Sequence, residues 1–179
     1  MRRLGAPLAI TAVTVASVMP STASAAATRA EYLGQIEPIC QQANQLAKRQ
    51  AKKINRALKK SLKKASTRER KGKPGPVFGD VFILAVIKLV GPENRLFERT
   101  TAQIAAVPPA PGDEAVVTAW LAGRAESSAL TRAALRAGKQ RKPNRMFARL
   151  DASTVALRKA QQPVQAFGLD HCFVELPVV

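Results

Sequence analysis

The sequence predicts an all-α fold: a single-domain, up-down-up-down four-helix bundle with kinked helices and one disulfide. Three observations point there. Apolar residues recur at three- and four-residue spacing, and no run sustains the apolar–polar alternation of a half-buried strand. Clusters of Gly and Pro cut the pattern into four segments with short connections, as expected of antiparallel neighbours. A length of 179 residues suits one domain.

The first segment is not expected to join the bundle. Arg2 and Arg3 precede an apolar run from Leu4 to Met19, then Pro20, Ala23-Ser24-Ala25 and Ala25-Ala26-Ala27. A positive start, an apolar centre and a small-residue cleavage site make residues 1–25 a secretory signal peptide, cut after Ala25 or Ala27. The bundle domain then spans 28–179. An uncleaved membrane anchor is the alternative, which Pro20 and the small residues disfavour. No cysteine follows the cut, so lipid attachment there is not expected. Losing Arg2 and Arg3 lowers the formal charge of +17 by two.

Thr28 and Glu31 form a capping box that starts the first helix. Tyr32, Ile36, Ile39, Ala43, Leu46, Ile54, Leu58 and Leu62 mark its apolar stripe to about Ala65, with a kink expected at Pro38. Gly72-Lys73-Pro74-Gly75-Pro76 ends it. A second helix starts at Asp80 and runs through the apolar stretch Val81–Val90. That stretch is β-branched enough to be a strand, but a lone strand would have no partner. Gly91-Pro92 should break or kink the chain before Leu96, Phe97, Thr101 and Ile104 resume the stripe. Val107-Pro108-Pro109-Ala110-Pro111-Gly112 is a stiff loop. Asp113 caps the third helix, which carries Val116, Val117, Trp120, Leu121, Leu130, Ala134 and Leu135 to a stop at Gly138. Asn144 opens the fourth, with Phe147, Leu150, Thr154, Leu157, Val164 and Phe167. Pro163 should kink it, and Gly168 is a natural C-terminal cap.

Aromatic residues make up 4% of the chain, so the core must come from aliphatic side chains and close Ala contacts. A thin core raises the value of a cross-link. In an exported chain an even cysteine count favours a disulfide, here Cys40 with Cys172. Two cysteines and the single histidine, His171, cannot make an ordinary four-ligand zinc site, so no metal or cofactor is expected.

Residues 48–74 hold thirteen Lys or Arg against one acid, Glu69. On a wheel of about 100° per residue, Lys48, Lys59, Lys52, Lys63, Arg56, Arg49, Lys60, Lys53 and Lys64 fill one half. Ala51, Ile54, Ala57, Leu58, Ser61, Leu62 and Ala65 fill the other. Such a face can be merely solvated. However, Lys48, Lys52, Arg56, Lys60 and Lys64 repel along i,i+4 steps with no acid between them, which an anionic surface would offset. In the expected topology, Lys71 and Lys73 meet Arg141, Lys142 and Arg145 at one end, away from the disulfide. Outside a cell the anion would be phospholipid headgroups or a wall polymer. Nucleic acid ranks behind these, because the stretch lacks interleaved aromatics for base stacking. The apolar Val81–Val90 is too short to span a bilayer.

Catalytic signatures are missing: there is no His-Glu-x-x-His, no phosphate-binding Gly loop and no Gly-x-Ser-x-Gly. The reading is therefore a binding protein of the cell envelope rather than an enzyme. A structural or protein-interaction module without an anionic ligand is the second reading. A hydrolase with a site assembled from scattered acids is the third.

Tyr32 to Asn44 with Ile39-Cys40 and Ala43-Asn44, the Val107-Pro108-Pro109 loop before Asp113 and Trp120, and Phe167-Gly168-Leu169 leading to Cys172 together resemble a group of small exported helical proteins of actinobacteria. The resemblance implies a two-cysteine helical envelope protein without an assigned activity. The long basic stretch is not part of it.

Overall fold

Four α-helices and one short 3₁₀ helix account for the regular structure of the computed structural model, which describes residues 28–71, 78–169 and 172. They are α1 (Arg29–Arg70), α2 (Phe78–Ala105), α3 (Glu114–Lys139), α4 (Pro143–Gln161) and the 3₁₀ helix Gln162–Phe167. No strand occurs among the described residues. The expected signal peptide, the Gly/Pro breaker after Lys71, and His171 lie outside them.

The start of α1 follows from the local sequence. The Thr28 backbone N–H donates to the Glu31 carboxylate at 2.9 Å, and the Glu31 N–H donates back to the Thr28 hydroxyl at 3.2 Å. Two N–H groups that the first turn leaves without helical partners are thereby satisfied. The helix continues to Arg70, past the apolar stripe that fades near Ala65 and just short of the expected breaker at Gly72.

Prolines and caps depart from the sequence reading in instructive ways. Gly91-Pro92 does not break α2, which is helical from Phe78 to Ala105. Pro38 likewise lies inside α1. Each proline deprives the carbonyl four residues earlier of a donor. Those carbonyls belong to Gly34 and Lys88, both exposed, where water can take the bond. Asp113 precedes α3 but makes no side-chain cap. Its carboxylate instead accepts from Arg29 Nε at 2.7 Å and Arg29 Nη2 at 2.5 Å, tying the start of α1 to the start of α3. The fourth helix opens at Pro143 rather than Asn144, using a fixed φ suited to a first helical position. Pro163 falls in the 3₁₀ turn that succeeds α4. Gly168 ends that turn in the left-handed conformation (φ 75°).

The helices pack in chain order: α1 on α2, α2 on α3, and α3 most extensively on α4. Gly138 lies against Met146, Thr131 against Ser153 and Gly123 against Ala160. Contacts that move back along α3 therefore move forward along α4. Between α2 and α3 the same stepping links Ile87 with Gly138, Gly91 with Leu135, Glu98 with Ser128 and Thr101 with Arg124.

The core has two apolar parts with a polar band between them. One part surrounds the Cys40–Cys172 disulfide and contains Tyr32, Ile36, Ile104, Val117, Trp120, Val164 and Leu169. The other contains Val86, Ala134, Ala137 and Met146, flanked by Phe82 and Phe147, whose rings lie 6.2 Å apart. In the band, the Ser153 hydroxyl lies 2.9 Å from that of Ser127 and 2.8 Å from that of Thr131. Beside them, Ser128 donates to Glu98 at 2.6 Å, and Glu98 also pairs with Arg132 and Asn94. Buried hydroxyls that bond one another avoid the cost of lost water.

Candidate anion-binding surface

Helical periodicity sorts the charges of α1. Lys48, Arg49, Lys52, Lys53, Arg56, Lys59, Lys60, Lys63 and Lys64 are all exposed, while Ala51, Ile54, Leu58, Leu62 and Ala65 are half-buried. The cations from Lys48 to Lys64 thus extend along one outer face for about 24 Å. None of them forms an ion pair with a described residue; the ion pairs there are Arg29–Asp113 and Arg132–Glu98. Lys71 is exposed just past the helix end. Lys73 lies outside the described residues.

Arg141 and Lys142 are exposed on the turn between α3 and α4, and Arg145 is exposed at the start of α4. The backbone there explains their display. Lys142 N–H donates to the Ala137 carbonyl at 3.0 Å and Arg141 N–H to the Gly138 carbonyl at 3.0 Å, which closes α3 in a Schellman turn. That turn sets Arg141 at φ 56°, where glycine is the usual residue and a side chain costs roughly 1–2 kcal/mol. Arg145 stands in the first turn of α4, which contains no acid. A cation at that end opposes the helix dipole by roughly 0.3–1 kcal/mol.

Two further arginines complete this region. A cleft of about 280 Å³ is lined by Ala133, Arg136 and Ala137 of α3, by Gln140 just past its end, and by Arg145 and Arg149 of α4. Positions 133, 136, 137 and 140 share one helix face, as do 145 and 149. The stepping seen at Gly138–Met146 and Thr131–Ser153 sets Arg136 level with Arg149 and Gln140 level with Arg145. Ala133 and Ala137 are too small to fill the space between. None of the three arginines forms an ion pair among the described residues. Arg136, Gln140 and Arg149 escaped the sequence reading, which singled out Arg141, Lys142 and Arg145. The signal was present as Arg136/Gln140 and Arg145/Arg149, two i,i+4 pairs facing each other across a three-residue turn. The basic face of α1 contributes no residue to this cleft, whose lining comes from residues 133–149.

No protein-family model matches the chain, and neither a curated protein nor a solved structure matches it.

Other chemistry is sparse. Among the described residues no three of His, Cys, Asp and Glu gather as a metal site would require. A smaller cleft of about 140 Å³, between Ile39, Gln42, Ala43 and Leu46 of α1 and Leu96, Arg99, Thr100 and Gln103 of α2, has no carboxylate. Glu93 is half-buried, and burial raises its carboxyl above the ordinary range. Arg124 is the most enclosed cation, 1% exposed. Its guanidinium lies over the Phe97 ring at 4.1 Å and near the Trp120 ring at 5.2 Å. Its Nε donates to the Thr101 hydroxyl at 3.0 Å and its Nη1 to the Cys172 carbonyl at 3.4 Å. Burial pulls its pKa down to about 10. No helix among the described residues is long and apolar enough to cross a membrane.

Proposed function

We propose that the chain is an exported envelope protein that docks the basic face of α1 on an anionic envelope component, either phospholipid headgroups or a wall polymer. One observation carries this reading. The cations at Lys48, Lys52, Arg56, Lys59, Lys60, Lys63 and Lys64 are exposed together on one helix face without ion-pair partners among the described residues. Each lysine near an anionic membrane contributes about 1 kcal/mol, so several acting together hold a protein at a surface without inserting it. The up-down-up-down order and the kinks expected at Pro38 and Pro92 belong to the same reading. Export is supported by the disulfide and by the leader-like sequence before Thr28.

Co-sedimentation of the mature, disulfide-intact protein with phosphatidylglycerol vesicles and with isolated cell wall tests the proposal. Binding is expected at about 0.05 M salt and loss of binding at about 1 M, where the screening length falls to about 3 Å. Absence of binding to both surfaces at low salt overturns it.

A further inference from the structure

We infer that the cleft between α3 and α4 is a separate binding site for a phosphate group, held by the guanidinium groups of Arg136, Arg145 and Arg149 with the Gln140 amide. The inference goes beyond the docking of α1 and does not depend on it.

Four features carry it. The cleft has volume, about 280 Å³, because Ala133 and Ala137 leave the space between the two helices unfilled. Its charged lining is of one sign: three arginines and no acid. Those arginines have no ion-pair partner among the described residues, so no described acid relieves their mutual repulsion. Finally, cations occupy this end against local preference. Arg145 sits at the positive end of α4, and Arg141 holds a glycine-type backbone conformation (φ 56°). A solvated helix flank would not require either.

The donor set selects the anion. A guanidinium presents a planar fork of N–H groups suited to two oxygens at once. One fork already occupies both oxygens of a carboxylate. Three forks and an amide suit a tetrahedral group whose several oxygens point different ways, as in a phosphate. That group could belong to a soluble phosphomonoester or to a lipid headgroup with its phosphate exposed.

The test uses the mature, disulfide-intact protein with arginine side-chain NMR as the readout. Inorganic phosphate, glycerol 3-phosphate and acetate are titrated at fixed ionic strength. The two phosphates are expected to shift a limited set of arginine signals saturably, while acetate binds at least tenfold more weakly. Affinity for phosphate is expected to fall at least tenfold in Arg136→Gln/Arg149→Gln and in the single variant Arg145→Gln, at an exposed position. It should be unchanged in Lys52→Gln/Arg56→Gln/Lys59→Gln/Lys63→Gln, which removes charge from α1 only. Vesicles distinguish the sources. Preference for phosphatidic acid over phosphatidylglycerol at equal surface charge, lost in the cleft variants, assigns a headgroup. Phosphate binding without that preference assigns a soluble ligand. The inference is overturned if phosphate and acetate bind alike, if binding does not saturate, or if the cleft variants bind phosphate as tightly as the parent. Failure of α1 docking would appear separately, as an absence of salt-sensitive vesicle binding with phosphate binding intact.

Discussion

A β-carbon added at Gly123 would stand 2.3 Å from the Cβ of Ala160, so α3 and α4 meet here almost backbone to backbone. No flexible side-chain end is available to yield, since the neighbouring atoms are the Cβ and Cα of Ala160. Replacing Gly by Ala inside a helix normally gains about 1 kcal/mol. Here overpacking, at roughly 1–3 kcal/mol, outweighs that gain. Gly123→Ala is therefore expected to lower the melting temperature, and Gly123→Ala/Ala160→Gly to recover most of the loss. Additive effects of the two changes would refute the contact.

The disulfide joins residues 132 positions apart, so its removal frees a long loop in the unfolded chain. Cys40→Ser/Cys172→Ser is expected to lose about 4–5 kcal/mol by the loop-entropy argument, as an upper value. Urea unfolding of the variant, alongside the parent with and without reductant, measures it.

Two carboxylates should govern acid stability. The Arg29 hydrogen bonds hold Asp113 below the ordinary carboxylate range. The Ser128 hydroxyl, followed by Arg132 and Asn94, does the same for Glu98. A carboxylate whose pKa is depressed by folding stabilises the fold above its unfolded value, about 4, and that contribution disappears as pH falls through the folded value. Asp113→Asn and Glu98→Gln are each expected to unfold more readily than the parent at pH 6. Each should also show a shallower loss between about pH 4 and 2. Urea midpoints across that range decide the matter; parallel curves for parent and variants would exclude the assignment.

Arg124 makes hydrogen bonds and ring contacts but has no counter-ion among the described residues. Arg124→Met retains bulk between Phe97 and Trp120 and removes a buried charge, so it is expected to be neutral or stabilising by up to roughly 4 kcal/mol at pH 7. The folded pKa of about 10 lies below that of a free guanidinium. The cost of burying the charge is therefore greatest below pH 10 and is relieved above it, so the advantage of Met should shrink in alkali. Thermal melts at pH 7 and above pH 10 test both statements.

Legibility in the sequence followed the range of the interaction. Thr28 and Glu31 are three residues apart, and their capping box was readable directly. Cys40 and Cys172 were readable because two cysteines allow one pairing. Gly91-Pro92 does not interrupt α2, because a breaker's local cost is outweighed by the tertiary burial on both sides, including Val86 and Leu96. Asp113 misled for a similar reason: Arg29, 84 positions away, takes the carboxylate a cap would use. The hydroxyl band was invisible. Ser127 and Thr131 resemble solvent-facing residues until Ser153 is placed opposite them. The basic face of α1 needed only the helical period, whereas the Arg136–Arg145–Arg149 cleft needed the turn that folds α4 back on α3.

Because Cys40 and Cys172 lie near the two ends of the described chain, the bond between them also sets how the molecule bears load. Tension applied between the segments outside that pair would pass through a covalent link. The 132-position loop, with its helix contacts, would stay slack. A pull exerted on α1 beyond Cys40 has no such shunt. It must be resisted by side-chain packing against α2, which makes that seam the mechanical fuse of the structure.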